Sequence, residues 1–123
     1  MGEDLTVALK RELLEIDVMF DELQRAVGMD MRDELLALFF PTMHECLAGL
    51  RLAIPADDWA AMLAFAHKLK GASGQLGAAQ ISAFSRTIEQ AARAQVQNEA
   101  AQAFAELDAL CLALEQHLAQ MPG

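Results

Sequence analysis

Along almost the whole chain, apolar residues return at threes and fours, the period of amphipathic helices rather than of strands. Over residues 3–27 the apolar positions are Leu5, Leu9, Leu13, Ile16, Phe20, Leu23 and Val27, followed by Gly28 as a C-terminal cap. Either one helix or two, with a break near Ile16-Asp17, fits this stretch. A second region begins at Asp30 or Met31, with Asp33 and Glu34 in its first turns, where the helix dipole favours acids. Its stripe of Leu36, Phe40, Met43, Leu47, Leu50 and Ile54 keeps phase across Pro41. That predicts one bent helix, kinked where proline leaves the Ala37 carbonyl without its donor. The connection Ile54-Pro55-Ala56-Asp57-Asp58 offers an N-cap at Asp57 or Asp58.

The third helix is expected to reach about Gly74, with Met62, Phe65, Leu69, Ala72, Ser73 and Leu76 in one inward arc and Gly77 in the turn. The fourth, about residues 79–96, turns Ile81, Phe84, Ile88, Ala91 and Ala92 inward and carries Ser82, Ser85 and Glu89 on a flank. The last starts near Asn98 and repeats Phe104, Leu107, Cys111, Leu114, Leu118 and Met121. The pattern predicts an all-α fold in a single domain over residues 1–123. An antiparallel four-helix bundle covers about residues 30–121, with an additional N-terminal helical segment at 3–27.

Composition agrees: 54% hydrophobic residues in 123 positions suffice for one core, and tyrosine is absent. The net charge of −9 argues against nucleic acid, which needs a basic footprint. The charge is uneven. Residues 59–98 hold Lys68, Lys70, Arg86 and Arg93 against Glu89 alone, while the flanking segments are strongly acidic. A locally positive segment suits an anionic group or an acidic partner patch. Glu3 and Asp4 stand where a signal peptide would be basic, and the longest uncharged run, residues 71–85, is too short and polar to span a bilayer. A cytoplasmic protein with no membrane association is expected. Met1-Gly2-x-x-x-Thr6 meets only the loose N-myristoylation pattern and carries no weight. Cys46 and Cys111 fall on apolar stripes and read as core thiols rather than a disulfide.

The candidate chemistry lies in the third helix. On a helical wheel His67 points about 200° away from Leu69, onto a face shared with Ala60, Leu63, Ala64, Lys70, Gly71, Gly74 and Gln75. Each helix-interior glycine costs about 1 kcal/mol against alanine, and no packing demand explains two of them on an exposed face. Small neighbours leave the imidazole open to another macromolecule, and Lys70 at i+3 can reach whatever a ring nitrogen carries.

Asp58-Trp59, then Ala66-His67-x-Leu69-Lys70-Gly71-x-Ser73-x-x-x-Gly77-Ala78, resembles the histidine-containing phosphotransfer (HPt) domain of multistep bacterial phosphorelays. Ile88-Glu89 and Arg93 resemble the second signature of that family. The resemblance implies that His67 is the phosphoacceptor, through Nε2, that Lys70 stabilises the phosphoryl group, and that Glu89 orients the imidazole from the next helix. It further implies a docking surface of Leu63, Ala64, Lys68, Gly71, Gly74, Gln75 and Arg86, with response-regulator receiver domains and a hybrid histidine kinase as partners. Mg²⁺ would belong to the receiver, so neither cofactor nor metal is expected here, and a monomer is expected. No Walker-type motif occurs, so neither ATP binding nor autonomous kinase activity is expected. Two other readings compete. A phosphorylation-independent adaptor for a response regulator or kinase would use the same surface. A metal-carrying bundle would need His44, His67, His117 and a carboxylate, yet no Glu-x-x-His motif is present.

Overall fold

The computed structural model describes residues 4–119; the Gly2 motif and Met121 lie outside the described residues. Five helices follow in order: α1 (Leu5–Val27), α2 (Arg32–Ala53), α3 (Trp59–Leu76), α4 (Ala79–Ala94) and α5 (Gln97–Ala119). The N-terminal segment is one helix, running unbroken through Ile16-Asp17. The Thr6 backbone N–H donates to the Asp4 side chain at 3.1 Å at its start, and Gly28 closes it in the left-handed conformation with φ 79°.

Helices α2 to α5 form the bundle, with α3 and α4 most extensively packed and α2 and α5 completing the ring. Side-chain pairs give the antiparallel register. Between α2 and α5, His44 pairs with Glu115 and Arg51 with Asp108. Between α2 and α3, Lys68 reaches Glu45, and a Cβ on Gly49 would overlap the Phe65 ring. The core holds Met43, Leu50, Met62, Leu69, Ile81, Ile88, Leu107 and Leu114, with the unpaired Cys46 and Cys111 buried beside them. Burial pushes both thiols up from their ordinary range.

Several expected inward positions rotate outward. In α2, Phe39 is buried and Leu36 and Phe40 only partly, while Pro41 sits inside a helix that continues past it. Of the described helices, α2 is the one long and apolar enough to cross a membrane by length and composition. Its inner side packs into the bundle core. In α1 the buried residues are Ala8, Glu12, Ile16 and Phe20, whereas Leu5 and Val27 are exposed.

That rotation has a reason. Helix α4 begins after Ala78, which has no side chain able to cap it. Glu12, fully buried, supplies the missing acceptors: the backbone N–H groups of Gln80 and Ile81 donate to its two carboxylate oxygens at 2.9 and 2.7 Å. The Gln80 side chain returns a hydrogen bond to the Ala8 carbonyl. A carboxylate from α1 therefore caps α4 across the interface, and small Ala8 permits the close approach.

Candidate functional site

Helix α3 is set by its two ends. The Ala61 backbone N–H donates to Asp58 Oδ1 at 3.1 Å, making Asp58 the N-cap. At the other end the helix runs to Leu76, beyond the expected stop at Gly74, and Gly77 closes it with φ 83°. Met62, Ala66, Leu69, Ser73 and Leu76 are buried, with Phe65 and Ala72 partly so. The opposite face carries exposed Ala60, Ala64, His67, Gly71, Gly74 and Gln75, with Leu63 and Lys70 half-buried at its edges. A Cβ added at Gly71 would meet nothing within 4 Å, and one at Gly74 only Ser82 Oγ at 3.9 Å. Among the described residues, nothing crowds this wall at either glycine.

His67 projects from it with 70% of its side chain accessible. Behind it lies Glu89 of α4, whose side chain is 2% accessible. Rather than lying on a flank, Ser85 and Glu89 are buried, and Glu89 faces α3. Small residues bring the helices close enough for this, and Ser82 Oγ reaches the Lys70 carbonyl at 3.3 Å.

Glu89 gathers three cationic or potentially cationic groups. Its Oε2 lies 2.7 Å from His67 Nδ1, its Oε1 accepts from Lys70 Nζ at 2.6 Å, and Arg93 Nη2 stands 3.5 Å from Oε2, one turn along the same helix. The hydrogen bond from Lys70 holds the Glu89 carboxyl below its ordinary range; burial opposes this, and the His67 hydrogen bond and the nearby charges of Lys70 and Arg93 add to the lowering. An ionised carboxylate can only accept, so the shared proton belongs to Nδ1. In the neutral ring Nε2 then keeps its lone pair, and no hydrogen bond to it is found among the described residues.

The other expected residues divide. Lys70 joins the cluster but is turned inward to Glu89. Lys68 donates to both carboxylate oxygens of Glu45 on α2 at 3.1 Å, so its charge is tied to α2 rather than to His67. Arg86 is exposed and takes part in none of the ion pairs found at Glu89. No group of three or more His, Cys, Asp or Glu residues suited to a metal comes together among the described residues. A cavity of about 420 Å³ between α1, α4 and α5 includes none of the site residues in its lining.

Two contributions have weaker sequence signals. Arg93 is visible only as part of a signature, although i,i+4 spacing from Glu89 foretells the contact. Glu12 is hidden within an apolar stripe; its clue is an α4 start at Ala78-Ala79 that lacks a capping side chain.

A family model, the Hpt domain, matches residues 34–120, well over half of the chain. The chain belongs to the Hpt domain family. Members of this family are histidine phosphotransfer carriers of phosphorelays, not kinases. The match begins inside α2, so α1 and its Glu12 cap lie outside the part of this Hpt domain that the family model covers. None of the curated proteins and none of the solved structures compared with the chain matches it.

Proposed function

We propose that this Hpt domain is a phosphorelay intermediate: His67 takes a phosphoryl group from a receiver-domain aspartate and hands it to the aspartate of another receiver. The observation that carries the reading is the exposed His67 ring, held by Nδ1 on buried Glu89 at 2.7 Å, with Nε2 left outward on a wall kept low by Gly71 and Gly74.

In the forward step the Nε2 lone pair forms the N–P bond while the bond from phosphorus to the aspartyl oxygen breaks. That oxygen keeps the electron pair as a carboxylate. No proton moves, because Nδ1 already carries one, and the ring becomes an imidazolium. The Glu89 carboxylate stabilises that charge from a buried position where Coulomb interactions are strong. Return to a second aspartate reverses every change. Lys70, one turn away, is the cation suited to the phosphoryl oxygens, which bring about −1.5 to −2 charge on the familiar phosphoamino acids. The remaining task is positioning, the dominant one in phosphoryl transfer. Mg²⁺ is supplied by the receiver's acidic pocket. Leu63, Ala64, Gly74 and Gln75 offer the receiver a small-residue docking area. The partners are receiver domains and a hybrid histidine kinase, and the setting is cytoplasmic and monomeric.

The test is His67→Gln offered a phosphorylated receiver. The variant is expected to keep its helical signal and thermal midpoint and to take up no phosphate. Uptake matching the unaltered protein would overturn the assignment. Undiminished receiver binding by a wild-type protein that never takes phosphate would favour an adaptor instead.

A further inference from the structure

Glu89 is a single carboxylate in contact with His67, Lys70 and Arg93, and phosphorylation of His67 changes the charge it has to balance. At rest, Lys70 bonds inward to Oε1 at 2.6 Å, although a phosphoryl group on Nε2 would stand on the outer side of the ring. The ring itself becomes a cation on phosphorylation and presses its claim on Oε2. Lys68 is engaged by Glu45, which leaves Arg93 as the further cation in contact with Glu89 among the described residues. Its 3.5 Å contact is loose and its side chain is 62% accessible, so it can tighten without moving the backbone. A guanidinium offers five donors and stays charged throughout.

We propose that phosphorylation drives an exchange of ion pairs at Glu89: Lys70 leaves Oε1 for the phosphoryl oxygens, and Arg93 closes onto the carboxylate in its place. Arg93 is thus a positioning residue, acting on the phosphoryl group through Glu89 and Lys70. The inference rests on His67 being the phosphoacceptor. Without Arg93, a departing Lys70 would leave Glu89 with the imidazolium alone, so Lys70 is retained and the phosphoryl group loses its partner.

A small-molecule phosphoryl donor, phosphoramidate, allows a test without any receiver. The readout is the pKa of the phosphoryl group on His67, followed by ³¹P NMR, since a nearby cation stabilises the dianion and lowers that pKa. Lys70→Ala is expected to raise it by roughly one unit. Arg93→Ala should raise it by a sizeable part of that, Arg93→Lys should restore it, and Arg93→Ala added to Lys70→Ala should change nothing more. An unmoved value in Arg93→Ala, or an equal rise with and without Lys70, overturns the exchange while leaving His67 as the acceptor. Labelling of His67→Gln to the wild-type level, or no labelling of wild type, overturns the acceptor assignment and the exchange with it.

Discussion

Near its N-terminus α4 receives the carboxylate of Glu12 from α1, and roughly two turns further along it contributes the carboxylate of Glu89 to the face it shares with α3. Both are shut off from solvent, yet their surroundings differ in kind. Glu12 is met by two backbone N–H groups that cannot leave, and burial outweighs them, so its pKa is raised. Glu89 is met by side chains of Lys70, His67 and Arg93, each with an exposed or half-exposed route away, and its pKa is lowered. Burial alone therefore does not say what a buried acid does. Fixed neutral donors make a joint of the scaffold, whereas partly exposed side-chain cations hold the second carboxylate ionised.

The largest effect should follow from breaking the scaffold member of the pair. Glu12→Ala strands two backbone N–H groups at the start of α4 and empties the space between α1 and α4. A loss of about 2–4 kcal/mol is expected. Glu89→Ala should lose less, about 1 kcal/mol, because Lys70 and Arg93 can turn to water. Urea midpoints of the two variants measure the contrast, and a larger loss for Glu89→Ala would reverse it.

The same contrast has a pH signature of opposite sign. Glu89 has a folded pKa below its unfolded value, so its contribution is present above the ordinary carboxylate range and is lost as pH falls through the folded value. Glu12 has a folded pKa above its unfolded value, so its contribution is full below the ordinary range and declines as pH rises through the folded value. Stability of Glu89→Gln should accordingly converge on wild type in acid, and that of Glu12→Gln should come closest to it at neutral pH. Chemical unfolding from about pH 2 to 7.5, a range that extends below the ordinary carboxylate titration for Glu89 and above it for Glu12, decides the matter. Parallel curves for both variants would contradict it.

How far these two regions can be read in advance follows from where their signals lie. Helix existence, the α3 face and the glycines beside His67 are legible because period and spacing are local. The Glu89 contact is foreseeable through resemblance, but not its capture of Lys70, since the partner of a long cation depends on how closely α3 approaches α4. Glu12 escapes notice because an acid inside an apolar stripe looks like an interruption until the uncapped helix it serves is known. In α2 the expected stripe runs through Phe40, one residue out of phase with the buried Phe39; adjacent apolar residues before Pro41 leave the period ambiguous there.

The smallest expected effect isolates the site face from the scaffold. A side chain at Gly71 would meet open space, and its helical neighbours demand nothing of it. Gly71→Ala should therefore stabilise α3 by up to about 1 kcal/mol, the propensity difference between the two residues. Gly49→Ala should do the reverse, because its methyl group would run into Phe65. Enlarging the side chain to Gly71→Gln should keep the fold while weakening receiver docking, as titration with a phosphorylatable receiver would register. If Gly71→Ala destabilised the protein, the glycine would be serving the bundle after all. A gain in stability paired with weaker docking of the larger variant places its role outside the chain, on the surface that the partner meets.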